Sequence, residues 1–173
     1  MKNGYCLHAM NVRGVCHFRL TSEKDTYALD IPLDDALILE QIPLHTSVYL
    51  TKGHIHHIPK KYREADARRV GVVTRFRVNK TTHELEFTGR IFSWETEWWE
   101  SHAHGHHSPV TFHYVSLTHY INKEYPRIIP VEIAVVEYPR RACCFVTKDT
   151  DFDVARETVH KLNEVAWFGP SKH

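Results

Sequence analysis

The chain carries eight prolines, at 32, 43, 59, 109, 126, 130, 139 and 170, against only seven glycines. Proline has no backbone N–H to give and fixes φ, so it is excluded from helix interiors and central sheet ladders. The segments between the prolines are alternating or β-branched, the pattern of half-buried strands. Strands are expected over 14–20, 44–50, 70–78, 84–92, 110–121, 131–138 and 142–147. The polar turn Asn79-Lys80-Thr81-Thr82 joins two of these runs as a hairpin. Helical periodicity is sparser. Short helices are expected over 33–40 and 62–69. A longer one runs from about Phe152 to Trp167, with Asp151 as its cap, Phe152, Ala155, Val159, Leu162 and Ala166 at helical spacing, and Gly169-Pro170 as its stop. These elements predict an α+β fold, mostly antiparallel, with a C-terminal helix.

With 173 residues, 42% of them hydrophobic, the chain suits a single domain over 1–173 with a real core. A formal net charge of +1 offers no broad cationic field, so long nucleic acid is not an expected partner. No apolar run reaches the roughly 18 residues of a membrane span. Met1-Lys2-Asn3-Gly4-Tyr5 has no apolar stretch of the kind a signal peptide needs. Cys6, Cys16, Cys143 and Cys144 form no CxxC or zinc-finger spacing, and they read as reduced core thiols in a cytoplasmic setting.

Histidine is the outlier, with 15 residues. In Leu44-His45-Thr46-Ser47-Val48-Tyr49-Leu50, strand alternation points His45 and Ser47 to one side. An imidazole moves protons near neutral pH and a hydroxyl donates to a phosphate oxygen, so the pair suits phosphate chemistry. Phe112-His113-Tyr114-Val115-Ser116-Leu117-Thr118-His119-Tyr120 supplies a second His and Ser on a strand.

These two segments resemble the paired His-hydrophobic-Thr/Ser-hydrophobic strand motifs of the 2H phosphoesterase superfamily. The stretch from Pro43 to Gly53 looks most like the first motif of phage enzymes that degrade cyclic oligonucleotide signals of bacterial immunity. The resemblance implies a two-lobed arrangement and metal-independent cleavage of a small, cyclic nucleotide, with no cofactor. It implies His45 and His113 as proton carriers and Ser47 and Ser116 as donors to phosphate. Trp94, Tyr49, Tyr114 and Tyr120 are candidate surfaces for the nucleotide. The second motif departs from the family pattern, which places His where Tyr114 stands. Either a β-bulge re-aims His113 or Tyr114 takes its role.

Two histidine clusters offer a rival chemistry. His54 and His56, with His104 and His106, are alternate imidazoles able to converge on zinc or another divalent transition metal and so activate water. A metal-dependent hydrolase or oxygenase is therefore the second expectation. A non-catalytic protein that sequesters a ligand or engages a host protein is the third.

Overall fold

The computed structural model describes residues 9–22, 30–41, 48–54, 68–103, 110–124, 127–138 and 143–168. Its strands are β1 (Met10–Phe18), β2 (Leu20–Thr21), β3 (Ile31–Pro32), β4 (Tyr49–Thr51), β5 (Arg69–Asn79), β6 (Glu84–Ile91), β7 (His113–Ile121), β8 (Ile128–Val136) and β9 (Phe145–Lys148). The helices are α1 (Leu33–Gln41), α2 (Thr96–Ser101) and α3 (Phe152–Phe168). Seven strands close into a barrel in the order β1-β6-β5-β4-β8-β7-β9, with β9 returning to β1. Neighbours are antiparallel except β4 and β8, which run parallel. The short pair β2–β3 stands apart from this ring. The α+β class and the C-terminal helix agree with the sequence. The two-lobed arrangement does not: seven of the nine described strands form one closed ring.

Closure follows from bulges that sequence alternation cannot reveal. The registers skip Cys16 on β1, Val70 and Thr74 on β5, and Val131 on β8. Each extra residue bends its strand and sharpens its twist, which lets a sheet curl onto itself. The skip at Val131 adjoins Pro130, whose missing N–H already weakens the ladder there. This proline also lies inside β8, so the strand starts at Ile128 rather than at the expected 131. The β5–β6 hairpin appears where expected, and its turn is held by Asn79 Oδ1, which accepts from the amides of Thr81 and Thr82 at 3.1 Å each. Most of the expected helix over 62–69 and the first part of the expected strand over 44–50 lie outside the described residues, and the last residue of that helix, Arg69, instead opens β5.

Two apolar clusters use the two sides of the barrel wall. Val12, Cys16, Leu50, Val73, Phe76, Phe87, Ile91, Val115 and Ile133 fill the interior, and α1 contributes Ala36 and Leu39 to the same cluster. Val15, Phe112 and Phe145 face the other way and meet Phe152, Ala155 and Val159 of α3. The strand period of two explains the split along β1: Val12 and Cys16 point in, Val15 points out. Leu162, expected on the buried stripe of α3, is 42% exposed, whereas Asn163 is buried. Among the described residues no helix is long and apolar enough to cross a membrane.

Candidate active site

The alternation along β7 decides which of its chemical groups can meet. His113, Val115 and Leu117 point into the barrel, while Tyr114, Ser116 and Thr118 point out. His113 is fully buried, with its ring centroid 4.0 Å from that of Trp99 and 6.0 Å from that of Trp98. It pairs in regular register with Val146. The irregularity in the β7–β8 ladder falls instead at the Thr118/His119 step, so no bulge turns His113 toward Ser116. His45 and Ser47 lie outside the described residues, as do His56, His104 and His106.

The aromatic candidates are dispersed. Trp94 is 65% exposed and stacked on Phe92 at 4.7 Å. Tyr49 lies under the Arg69 guanidinium, 3.7 Å from its centroid. Tyr120 is exposed near the end of β7. Tyr114 packs edge-on to Phe112 at the α3 cluster. Burial first, and then the neighbouring Cys143, push its phenol above the ordinary value. A phenol raised in this way stays protonated at neutral pH and gives up its proton less readily than an ordinary tyrosine.

What the fold does bring together on the outer face is a different set. His54 follows β4 closely, and its Nδ1 lies 3.1 Å from Thr118 Oγ1 on β7. In the tautomer that carries its proton on Nε2, the threonine hydroxyl donates to Nδ1. Ser116, two residues back on the same face, lines the same cleft. The strand β8 lies between β4 and β7 and supplies Glu132, the register partner of both Thr118 and Tyr49. Glu132 is only 5% exposed, and the hydroxyl of Thr51 sits 3.1 Å from its Oε1 and 3.0 Å from the carbonyl of Gly53. That threonine thus ties the buried carboxylate to the turn that delivers His54. Lys52 is fixed beside it by an ion pair with Glu95, at 2.8 Å, and by the Trp98 ring.

The resulting cleft, about 760 Å³, is lined by Lys52, His54, Ser116, Thr118, His119 and Tyr138, among others. It holds a hydroxyl in contact with an imidazole and a second hydroxyl on the same face, and the Glu132 carboxylate lies behind its wall, across the ladder from Thr118. That set can pass a proton from a hydroxyl to a ring nitrogen and so generate an oxygen nucleophile. Of the metal candidates only His54 is described, and no group of three His, Cys, Asp or Glu that could hold a metal occurs among the described residues. Sequence reasoning placed His54 in a metal cluster and passed over Thr118. The available signal was parity: Thr118 shares a face with Ser116, where His113 does not.

No family model matches the chain, and no curated protein matches it. Among solved structures, the fold is similar to that of the KSHV protease, in a crystal structure with a hexapeptide phosphonate inhibitor. The TM-score is 0.51 at 16% identity, over 92% of this chain and 77% of that one.

Proposed function

We propose that this chain is a metal-independent hydrolase in which Thr118 is the nucleophile and His54 its base, and that it cleaves peptide bonds. The observation that carries the reading is the 3.1 Å contact between Thr118 Oγ1 and His54 Nδ1 at the wall of an open cleft. The hydroxyl attacks the scissile carbonyl carbon as its proton passes to Nδ1. The imidazolium then returns that proton to the leaving amine, and water releases the acyl group by the same route in reverse. Glu132, a buried carboxylate across the ladder from Thr118, is tied through the Thr51 hydroxyl to the turn that carries His54. Ser116 is a donor to the oxygen that becomes negative. Support for a peptide substrate comes from the barrel's similarity to a protease whose crystal structure is a complex with a hexapeptide phosphonate inhibitor.

Hydrolysis of a small cyclic nucleotide is the second reading, and one observation favours it. Two imidazoles, His54 and His119, share the cleft with two hydroxyls and the Lys52 ammonium. These are the components a metal-free phosphodiesterase needs, drawn from other residues than the strand motifs suggest.

The test is covalent labelling of the purified chain with a biotinylated fluorophosphonate, the adduct being located by peptide mass spectrometry. One adduct at Thr118, abolished by His54→Ala, is the expected result. An adduct at Ser116 moves the nucleophile one step along the face. Neither adduct nor cleavage of a mixed peptide library, with turnover of a cyclic dinucleotide, replaces the peptidase by the phosphodiesterase.

A further inference from the structure

On the other side of the barrel, where α3 meets the wall, a cysteine has acquired partners of its own. Cys143 is partly exposed, just before β9, and its Sγ lies 3.7 Å from Nδ1 of His160 on α3. The far nitrogen of that ring, Nε2, is 3.9 Å from Oε2 of Glu84. Glu84 is 2% exposed, and its other oxygen accepts from Arg156 at 2.5 Å, so its charge is fixed in place. Asn163, one turn along α3 from His160, donates from Nδ2 to the sulfur at 3.1 Å. Thiol, imidazole and buried carboxylate therefore stand in line, with an amide donor on the sulfur. Cys143 also adopts φ 68°, a left-handed conformation that a side chain with a Cβ rarely takes. Its neighbour Cys144, by contrast, is 1% exposed.

We propose that Cys143 is a second reactive centre, a thiol deprotonated by His160 and oxidised by peroxides to a sulfenic acid. An imidazole between a thiol and a carboxylate can hold the thiol proton as imidazolium, which leaves the thiolate, the nucleophilic form of sulfur. The sulfur attacks the terminal oxygen of hydrogen peroxide. An S–O bond forms and the O–O bond breaks. Hydroxide leaves, takes the proton held on His160 and departs as water. Sulfur is oxidised by two electrons and peroxide is reduced by two.

The choice of a small oxidant rests on access and on Asn163. Cys143 is only partly exposed and packs against the α3 cluster, which admits a small molecule more readily than a large one. Asn163 is 3% exposed, and its Oδ1 has no hydrogen-bond partner among the described residues. The amide that donates to the sulfur thus brings an acceptor within reach of the S–O–H hydrogen that oxidation creates.

The test is stoichiometric hydrogen peroxide at pH 7 in the presence of dimedone, with adducts mapped by peptide mass spectrometry. The expected result is one dimedone adduct, on Cys143, formed at least about tenfold faster than on Cys144 in the same molecule. That internal comparison needs no variant. His160→Gln should slow the reaction at Cys143 by about tenfold or more while the melting temperature stays close to that of the parent chain, whereas Val154→Ala, on the exposed side of the same helix, should not slow it. Equal labelling of Cys143 and Cys144, or a parental rate in His160→Gln, would overturn the proposal.

Discussion

Gly14→Ala tests the barrel's closure at its tightest point. A Cβ on Gly14 would lie 2.2 Å from the carbonyl oxygen of Phe145 on β9 and 2.8 Å from two ring carbons of Phe87. Ordinary carbon contacts are near 3.5 Å, so β9 must move away by about 1 Å or the ring must leave its place. Gly14 pairs with Val146 across the β1–β9 seam, and Phe87 is fully buried, so neither shift is free. Loosening that pairing weakens about two ladder hydrogen bonds, each worth about 1 kcal/mol net, and overpacking the ring costs about 1–3 kcal/mol. Alanine also stiffens the unfolded chain, which offsets about 0.4–1 kcal/mol. The net expectation is a loss of about 2–4 kcal/mol, or roughly 5–15 °C in Tm for a chain of this size. Urea unfolding followed by tryptophan fluorescence reads the change, with the m-value checked for constancy. A loss below about 0.5 kcal/mol would mean that the seam yields without strain, and the reasoning fails.

His54→Ala should slow phosphonylation by roughly two to four orders of magnitude, the scale of a lost general base, whereas His113→Phe should leave it within a few-fold. Comparable losses in both, with unchanged melting, would return His113 to the site. Reaction with the fluorophosphonate should survive excess EDTA. Loss on chelation and recovery with zinc would favour a centre built on His54 and the other clustered histidines. Burial, then the nearby Cys144, raise the Cys16 thiol well above its ordinary value. The folded chain therefore keeps a proton that the unfolded chain releases, and stability is full below about pH 8.5 and falls as pH rises beyond it. Cys16→Ala, though less stable at neutral pH, should show a shallower decline between about pH 9 and 10.5 in urea titrations. An unchanged slope would mean that Cys16 is not protected in the folded state.

Local chemistry explains what could be read in advance. The 79–82 turn needs only the Asn79 side chain and its neighbours, and α3 needs only its own periodicity and the following Gly169-Pro170. Both elements appear in the structure. Ring closure was illegible because it depends on bulges at Cys16, Val70, Thr74 and Val131, and a bulge leaves no mark in an alternating pattern. Residue identity gives no register either: His113 has the chemistry of a catalyst, but Val115 and Leu117 draw the same side of β7 into the core. Conversely, His54 and Thr118 are 64 residues apart, and nothing nearby in sequence announces their contact.

That separation bears on when the chain can act. The imidazole arrives from β4, only three residues long, and the hydroxyl from β7, while β8 between them joins β4 in parallel. Pairings of such long range form late, because the entropy of closing a large loop must be met before any contact repays it. A nascent chain that has made only its β5–β6 hairpin holds neither the cleft nor the proton relay. Catalysis of the kind proposed is therefore withheld from every partly folded intermediate, and the maturing chain has no competent site with which to cut its own copies until the ring is shut.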